Sequence, residues 1–408
     1  MRYIPYSQLT NVKKIEEGGF SIIYQATWLD DSKNNDNLIV ILKRFKNLQY
    51  AKKYFFKELE SNHCCYDFTV NETLGFTKDP KLDDYILVMQ YASEGDLHKY
   101  LQKEFTVIDW RQKIRILYDI SLGLFAIHDS NFIHRDLHSG NILVTILNIL
   151  TVDICYKIGD LGLSRSANDT SLDDEIYGVI PYIAPEIFKG SAFSKESDIY
   201  SLGMIMWELT TGCKPFANVE HDHSLIFNII DGVRPEITKD TPECYANLMK
   251  SCWDSDPKKR PSISEIQNTC RLWYIYYDPL IQGHYRFDFV HQFSQAELKR
   301  KDLIVSKKLG SKFSEKSHPK AIYTSRSLNS YISKCSSIFS KCTFINSSND
   351  YISEELELDI NIKSSRLTSL GIKRKIEELN INSCENSGRR IKVSSDYSRT
   401  SLASFKRQ

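Results

Sequence analysis

The hydrophobic pattern of this chain changes period once, near residue 95, and that switch limits the folds open to it. Before it, "VKKIEEGGFSIIYQATWL" reads as a strand, a glycine turn and a second strand, and "LIVILKRF" follows as a third. Runs so rich in β-branched and aromatic residues suit a pleated surface. "AKKYFFKELESNHCC" has helical character, and "YILVMQYA" returns to a strand. Beyond residue 95 the apolar residues recur at helical spacing: Leu97, Tyr100 and Leu101, then Ile114, Leu117, Ser121 and Leu124. "SDIYSLGMIMWELTTG" (197–212) is apolar nearly all round after its start, as a buried helix is. The expected architecture is α+β in two parts: a small strand-rich lobe over about 12–92 and a larger helical lobe over about 93–278, with 1–11 as an N-terminal extension.

The net charge of +1 conceals an asymmetry. Residues 291–408 carry 22 Lys/Arg against 12 Asp/Glu, so about +10, which leaves about −9 for residues 1–290. After residue 285 serine makes up roughly a fifth of the chain, Lys and Asn are common and aromatics thin out. Such a composition buries too little apolar surface to order itself, so 285–408 is expected to be a mostly disordered Ser/Lys-rich tail. "KRK" (373–375) and "RRIK" (389–392) either address the nucleus or solvate that tail. The tail serines are either phosphoacceptors, open to the protein's own globular part among others, or plain solubilising residues. Ten scattered cysteines, with no C-x-x-C, argue against zinc and disulfides and for a reducing, cytoplasmic setting. The N-terminus "MRYIPYSQLT" lacks the apolar region of a signal peptide. The most apolar run, 141–155, is interrupted by polar residues and too short to span a bilayer.

Polar residues suited to phosphate chemistry fall in a fixed order along this pattern. "EEGGFSII" lies between the first two strands, Lys43 on the third, and Glu58 on the following helix, with Glu60 as its rival. His134-Arg135-Asp136 is followed five residues later by Asn141. Asp160-Leu161-Gly162 and then Ala184-Pro185-Glu186 come after it, and "CWDSDPKKRP" supplies Arg260. In this order the chain resembles a eukaryotic protein kinase over roughly residues 10–275. "CW…RP" and the "MWELTTG" helix look most like the tyrosine-kinase-like branch.

The resemblance implies a bilobal protein-kinase-like fold, with ATP and Mg²⁺ as cofactors and intracellular signal transduction as the setting. Protein substrates, and an upstream kinase acting on the loop from Asp160 to Glu186, would be its partners. No nucleic-acid partner and no membrane span are implied. Lys43, held by Glu58, would reach the α- and β-phosphates. Asp136 would take the proton of the incoming hydroxyl, while Asp160 and Asn141 would hold Mg²⁺. The nucleotide would lie against Ile15, Gly18, Gly19, Ile23, Ile41 and Leu143. Met89 would be the gatekeeper, Gln90 and Ala92 would belong to the hinge, and Asp96 would hold the ribose or simply cap a helix. Arg260 would pair with Glu186. Arg135 would bind a phosphate on the loop, at Thr170, Ser171 or Tyr177, unless Asp173-Asp174-Glu175 supply standing charge instead.

Several positions depart from the family pattern. Against G-x-G-x-x-G-x-V the chain offers Glu16, Gly18, Ser21 and Ile23, and a carboxylate at 16 weakens phosphate binding unless it points outward. Ile41 replaces an alanine, and the stretch between Asn141 and Asp160 is lengthened as a hairpin. His138 stands where Ser/Thr kinases carry a lysine, and Val179 where they carry a threonine. A histidine still donates to a phosphate oxygen, more strongly when protonated. The expected activity is transfer to protein hydroxyls, Ser/Thr rather than Tyr. The alternative is a pseudokinase that acts as an ATP-binding scaffold.

Overall fold

The structure, a computed structural model, describes residues 2–18, 21–29, 37–46, 48–65, 67–81, 84–148, 153–169, 176–277, 287–309 and 317–334. The first part is built on strands β1 (Arg2–Tyr3), β2 (Leu9–Glu17), β3 (Ser21–Leu29), β4 (Asn37–Phe45), β5 (Thr73–Lys78) and β6 (Tyr85–Gln90). Helix α1 (Leu48–Cys64) lies between β4 and β5 in sequence. The six strands form one sheet in the order β1-β5-β6-β4-β3-β2. Strand side chains alternate between faces, so Val40, Leu42, Ile86 and Val88 join Trp28 and Ala26 on one side. Ile41, Phe45, Leu87 and Met89 face the other, packing with Phe55 of α1. Lys43, two residues from both Ile41 and Phe45, shares that second face. Phe55, Glu58 and Asn62 of α1, at i, i+3 and i+7, are all buried.

The chain then passes through β7 (Gly95–Asp96), α2 (Leu97–Glu104), α3 (Trp110–Asp129), β8 (Phe132–Ile133), β9 (Ile142–Asn148), β10 (Asp153–Ile158), β11 (Arg165–Ser166) and β12 (Tyr177–Gly178). Helices α4 (Pro185–Phe188), α5 (Lys195–Thr211), α6 (His223–Ile230), α7 (Glu243–Cys252) and α8 (Ile263–Tyr276) complete the expected helical lobe. Asp109 and Gln112 form a capping box that starts α3, and Ser262 and Glu265 do the same for α8. Helix α5 is buried from Ser197 to Thr211 and ends at Gly212, whose φ of 70° is the left-handed conformation that favours glycine. The lengthened stretch after Asn141 is a hairpin, β9 pairing antiparallel with β10. Arg260 donates to both carboxylate oxygens of Glu186 at 2.7 Å.

Two expected boundaries shift. Residues before 12 are not a separate extension: Arg2 and Tyr3 pair in parallel with Gly75 and Phe76 of β5, and Ile4 is fully buried. Structure also continues past the composition change at 285. Helix α9 (Asp288–Val305) buries Phe293, Ala296 and Arg300 against the helical lobe, and 317–334 includes a strand, β13 (Arg326–Ser327). A few well-placed anchors outweigh a polar average. The expectation of disorder for 335–408 falls outside the described residues, as does that of basic addresses at 373–375 and 389–392.

Candidate active site

The centre of the site is the turn between β8 and β9. Its backbone is held from below by Asp198, at the start of α5 and itself buried. One Asp198 oxygen accepts the His134 amide at 2.8 Å and the His128 ring Nε2 at 2.9 Å; the other accepts the Arg135 amide at 2.9 Å. These bonds support Arg135 at φ 71°, a conformation costing on the order of 1 kcal/mol or more for a residue other than glycine. The Asp136 amide donates to His134 Nδ1 at 3.3 Å, and the His134 ring meets the Gly159 carbonyl at 3.2 Å. Asn141 Nδ2 donates to the Asp136 carbonyl at 2.9 Å, which leaves its Oδ1 available to a cation. Sequence reasoning missed Asp198; an acidic residue opening an otherwise apolar helix was the available signal.

Lys43 reaches across the cleft. Its Nζ donates to both Glu58 oxygens at 2.8 Å and to Asp160 Oδ1 at 2.6 Å. Glu60, the rival, is exposed on the other side of α1. Burial works against the Lys43 charge, but the carboxylates of Asp160 and Glu58 outweigh it and hold the ammonium above its ordinary range. Asp160 is held below the usual carboxylate range: burial opposes this, and Lys43 beside it prevails. The Asp160 backbone has φ 56°, and its side chain is 46% exposed although bonded to Lys43. One face of this carboxylate is therefore open.

Among the described residues no group of three or more His, Cys, Asp or Glu converges as a metal cage. Mg²⁺ does not need one, since it is commonly held by one or two carboxylates, waters and substrate phosphates. The oxygens of Asp160 and Asn141 fit that requirement.

The remaining expected nucleotide contacts line the sheet and the segment after it. Ile23 is the register partner of Lys43, and Ile41 of Met89. Met89 is buried, and Gln90 Oε1 accepts Lys157 Nζ at 2.8 Å, tying the end of β6 to β10. Leu143 lies over Gly159, where an added Cβ would come within 2.8 Å of its Cδ1. Asp96 caps α2 by accepting the Lys99 amide, and it also lies 3.0 Å from Lys99 Nζ. Ala92 accepts the Gly95 amide at 3.3 Å. Ile15 sits in a β-bulge with 47% of its surface exposed. Gly18 donates to the Ser21 carbonyl; Gly19 lies outside the described residues. Glu16 is 65% exposed and lies 3.6 Å from Lys99 Nζ, the ammonium that also pairs with Asp96.

His138 is more constrained than its sequence position suggests. Its Nδ1 accepts the Gly140 amide at 3.1 Å, so the hydrogen sits on Nε2, 3.8 Å from Asp136 Oδ2. Beneath the loop, Tyr182 donates to Glu208 at 2.7 Å, and the His98 ring meets the other Glu208 oxygen at 2.7 Å. On the far side of Arg135, Lys57 of α1 and Arg165 of β11 gather near its guanidinium. Burial, then the charges of Arg165 and Arg135, bring Lys57 down to about 7. Thr170, Ser171 and Asp173-Asp174-Glu175 lie outside the described residues; Tyr177 lies on β12, half-buried.

Comparison with known proteins agrees with this layout. Residues 9–270 match the protein tyrosine and serine/threonine kinase family. The chain is 28% identical over 284 residues to "Probable serine/threonine-protein kinase pats1" of Dictyostelium discoideum, covering 65% of this chain and 8% of that protein. It is 27% identical over 278 residues to the same organism's "Probable serine/threonine-protein kinase roco5", covering 65% and 10%. To its "Probable serine/threonine-protein kinase roco8" it is 34% identical over 202 residues, covering 48% and 11%. The matched region thus spans about a tenth of each relative's length. The family match covers well over half of the sequence, and the chain belongs to the protein tyrosine and serine/threonine kinase family.

Proposed function

We propose that the chain is an active, ATP-dependent protein kinase that phosphorylates serine or threonine hydroxyls of proteins in intracellular signalling, of the tyrosine-kinase-like type. The observation that carries this reading is the three-way bonding of Lys43 to Glu58 and Asp160 beside an ordered Asp136–Asn141 loop. Phosphoryl transfer asks mainly for positioning and for neutralisation of charge spread over phosphate oxygens. Lys43 offers a fixed cation for the α- and β-phosphates. Asp160 and Asn141 would hold Mg²⁺, which when bound neutralises charge on the phosphates. Asp136 receives the proton of the acceptor hydroxyl as its oxygen attacks the γ-phosphorus and the bond to the β–γ bridging oxygen breaks. His138, whose Nε2 lies 3.8 Å from Asp136 Oδ2, would donate to a phosphate oxygen. Ile15, Ile23, Ile41, Met89 and Leu143 form the apolar lining that an adenine would cover, with Gln90 and Ala92 at its edge. The exposure of Glu16 and the Lys99 ammonium 3.6 Å from it soften the chief objection to phosphate binding.

The names of the relatives support Ser/Thr specificity. The cluster of Lys57, Arg135 and Arg165 supports control by a phosphate on the loop before Glu186, placed there by an upstream kinase. The described cysteines are free thiols, in keeping with a cytoplasmic setting, and among the described residues no helix is long and apolar enough to cross a membrane. The test is transfer from labelled ATP with Mg²⁺ to myelin basic protein, comparing wild type with Asp136→Asn. Loss of about 100-fold or more in the variant, with label on serine or threonine, supports the reading. Equal background from both folded proteins overturns it in favour of a scaffold.

A further inference from the structure

Residues 317–334 are held on the helical lobe by β12 on one side and by residues 214–221 on the other. Strand β13 pairs antiparallel with β12, setting Arg326 opposite Gly178 and Ser327 opposite Tyr177. One step further both backbone groups of Ile176 are taken: its carbonyl accepts the Leu328 amide and its amide donates to Asn329 Oδ1, each at 2.7 Å. Leu328 is fully buried. On the other side, the Ala217 carbonyl accepts the His318 amide at 2.7 Å, and the His221 amide donates to the Lys320 carbonyl at 3.2 Å. The Tyr323 hydroxyl donates to the Pro215 carbonyl at 2.8 Å, and its ring meets the His221 ring and Lys214 Nζ at 4.8 Å each. The Arg326 guanidinium donates to the His221 carbonyl at 2.9 Å. Main-chain bonds along a strand edge, with a few side chains as anchors, are the means by which folded domains capture extended peptides.

The captured segment adjoins the catalytic base. A Cβ at Gly178 would lie 3.8 Å from Asp136 Oδ1. An acceptor hydroxyl has to come within about 3 Å of that carboxylate, so a protein substrate must bring its chain past the stretch of β12 that β13 lines. The residue set opposite Gly178 is Arg326, which has no hydroxyl to offer. Upstream, the segment reaches the support of the catalytic loop. Burial and then the Glu208 carboxylate push the Tyr323 hydroxyl up, and Glu208 is the group that accepts from Tyr182 beneath the loop. Lys214, against the Tyr323 ring, is brought down by burial while the charges of Glu208 and Asp96 oppose the shift. With the segment in place, Lys43 still bonds to Glu58 and Asp160, and Asn141 still holds the Asp136 carbonyl. The segment therefore bears on what reaches Asp136 and leaves the phosphate-handling groups assembled.

We propose that residues 317–334 are an autoinhibitory segment, a competitor carried on the same chain that occupies the strand edge an extended protein substrate needs; the proposal rests on the kinase reading above. It competes with protein and not with ATP, because the expected nucleotide contacts lie on the sheet and at Leu143 whereas its own lie on β12 and 214–221. Tethering sets the scale of the effect. At an effective concentration of the order of millimolar, a segment whose free peptide binds with a Kd of about 0.1 mM is docked about ten times more often than not, and it raises the apparent KM for a protein substrate about tenfold.

The test compares the full-length wild type with Leu328→Asp, which unseats the buried anchor, and with Tyr323→Ala, which removes a half-buried one. Initial rates are measured with myelin basic protein varied at saturating ATP and Mg²⁺, then with ATP varied. A KM for myelin basic protein lowered about tenfold in the variants, with kcat and the KM for ATP within about twofold of wild type, supports the proposal. A synthetic 317–334 peptide titrated into Tyr323→Ala should then inhibit competitively with myelin basic protein and not with ATP; this arm and Tyr323→Ala decide the matter even where Leu328→Asp does not fold. An unchanged KM for myelin basic protein in the variants overturns the proposal while the kinase reading stands. So does a fall in kcat, which would make the segment a brace for β12, or inhibition by the peptide that is competitive with ATP. No transfer by wild type or variants to any acceptor sinks both.

Discussion

Lys43 in the cleft and Lys113 in the helical core are both buried, and burial has opposite outcomes for them. Lys43 is enclosed but meets two carboxylates, so its charge is held firmly. Lys113, on α3, has no hydrogen-bond partner for its Nζ among the described residues and rests over the rings of Phe105 and Trp110 at 4.8 and 4.9 Å. Burial there brings it down to about 8, with Asp240 opposing the shift. Enclosure always disfavours charge, and what decides the outcome is whether fixed countercharges sit within bonding distance. The cleft retains a strong cation where a phosphate will need one. The core tolerates a weak one with no comparable chemical use.

Substitution at Lys43 tests the contrast most severely. Lys43→Met should lower phosphate transfer by roughly 100- to 1000-fold and also destabilise the fold, because Glu58 stays buried without its cation. Adding Glu58→Gln should recover thermal stability but not turnover; recovery of turnover would refute the assigned role. Asp198→Asn comes next. One of its two ends can no longer accept an amide, so turnover should fall about tenfold and stability by about 1–3 kcal/mol. Unchanged kinetics would show that the loop is held by other bonds.

Lys113→Met should act in the opposite direction, raising stability by about 1–3 kcal/mol, a few degrees in melting temperature, with transfer unchanged within about twofold. The smallest effect is one of pH. With a native value near 8 against 10.5 for an ordinary lysine, the unfolded chain holds the extra proton between those values. Wild-type stability should therefore rise with pH across that window relative to Lys113→Met, and run parallel to it below pH 8. Parallel melting curves throughout would mean that Lys113 is less enclosed than it looks.

The same pair shows what could be read from residues alone. Lys43 was legible because it lies in a short, strongly β-patterned strand and belongs to a motif whose members constrain one another. Lys113 was not, although Trp110, Lys113 and Leu117 fall on one helical face at i, i+3 and i+7; its charge argues for solvent, and only packing reveals otherwise. The two lobes were legible from period, the sheet order and the grip of Asp198 were not. Backbone amides carry no sequence signal, so a carboxylate that serves them looks like any acidic residue in the first turn of a helix. The docked tail segment was hidden for a related reason. It relies on main-chain pairing and on a few anchors such as Leu328 and Tyr323, which a composition average over 124 residues dilutes.

The short parallel strand β1 has a consequence for self-association. Without it, β5 would be an open sheet border, a row of unsatisfied amides and carbonyls able to template a second copy. Arg2, Tyr3 and Ile4 close that border, and the fit is tight: a methyl group at Gly75 would fall 2.3 Å from the Arg2 carbonyl oxygen. Residue 2 cannot find its place until residue 75 has been made. Because residues 2–4 precede β5 in the chain, the strand that covers this border is already made when β5 is synthesised, and nascent copies need not expose it to one another.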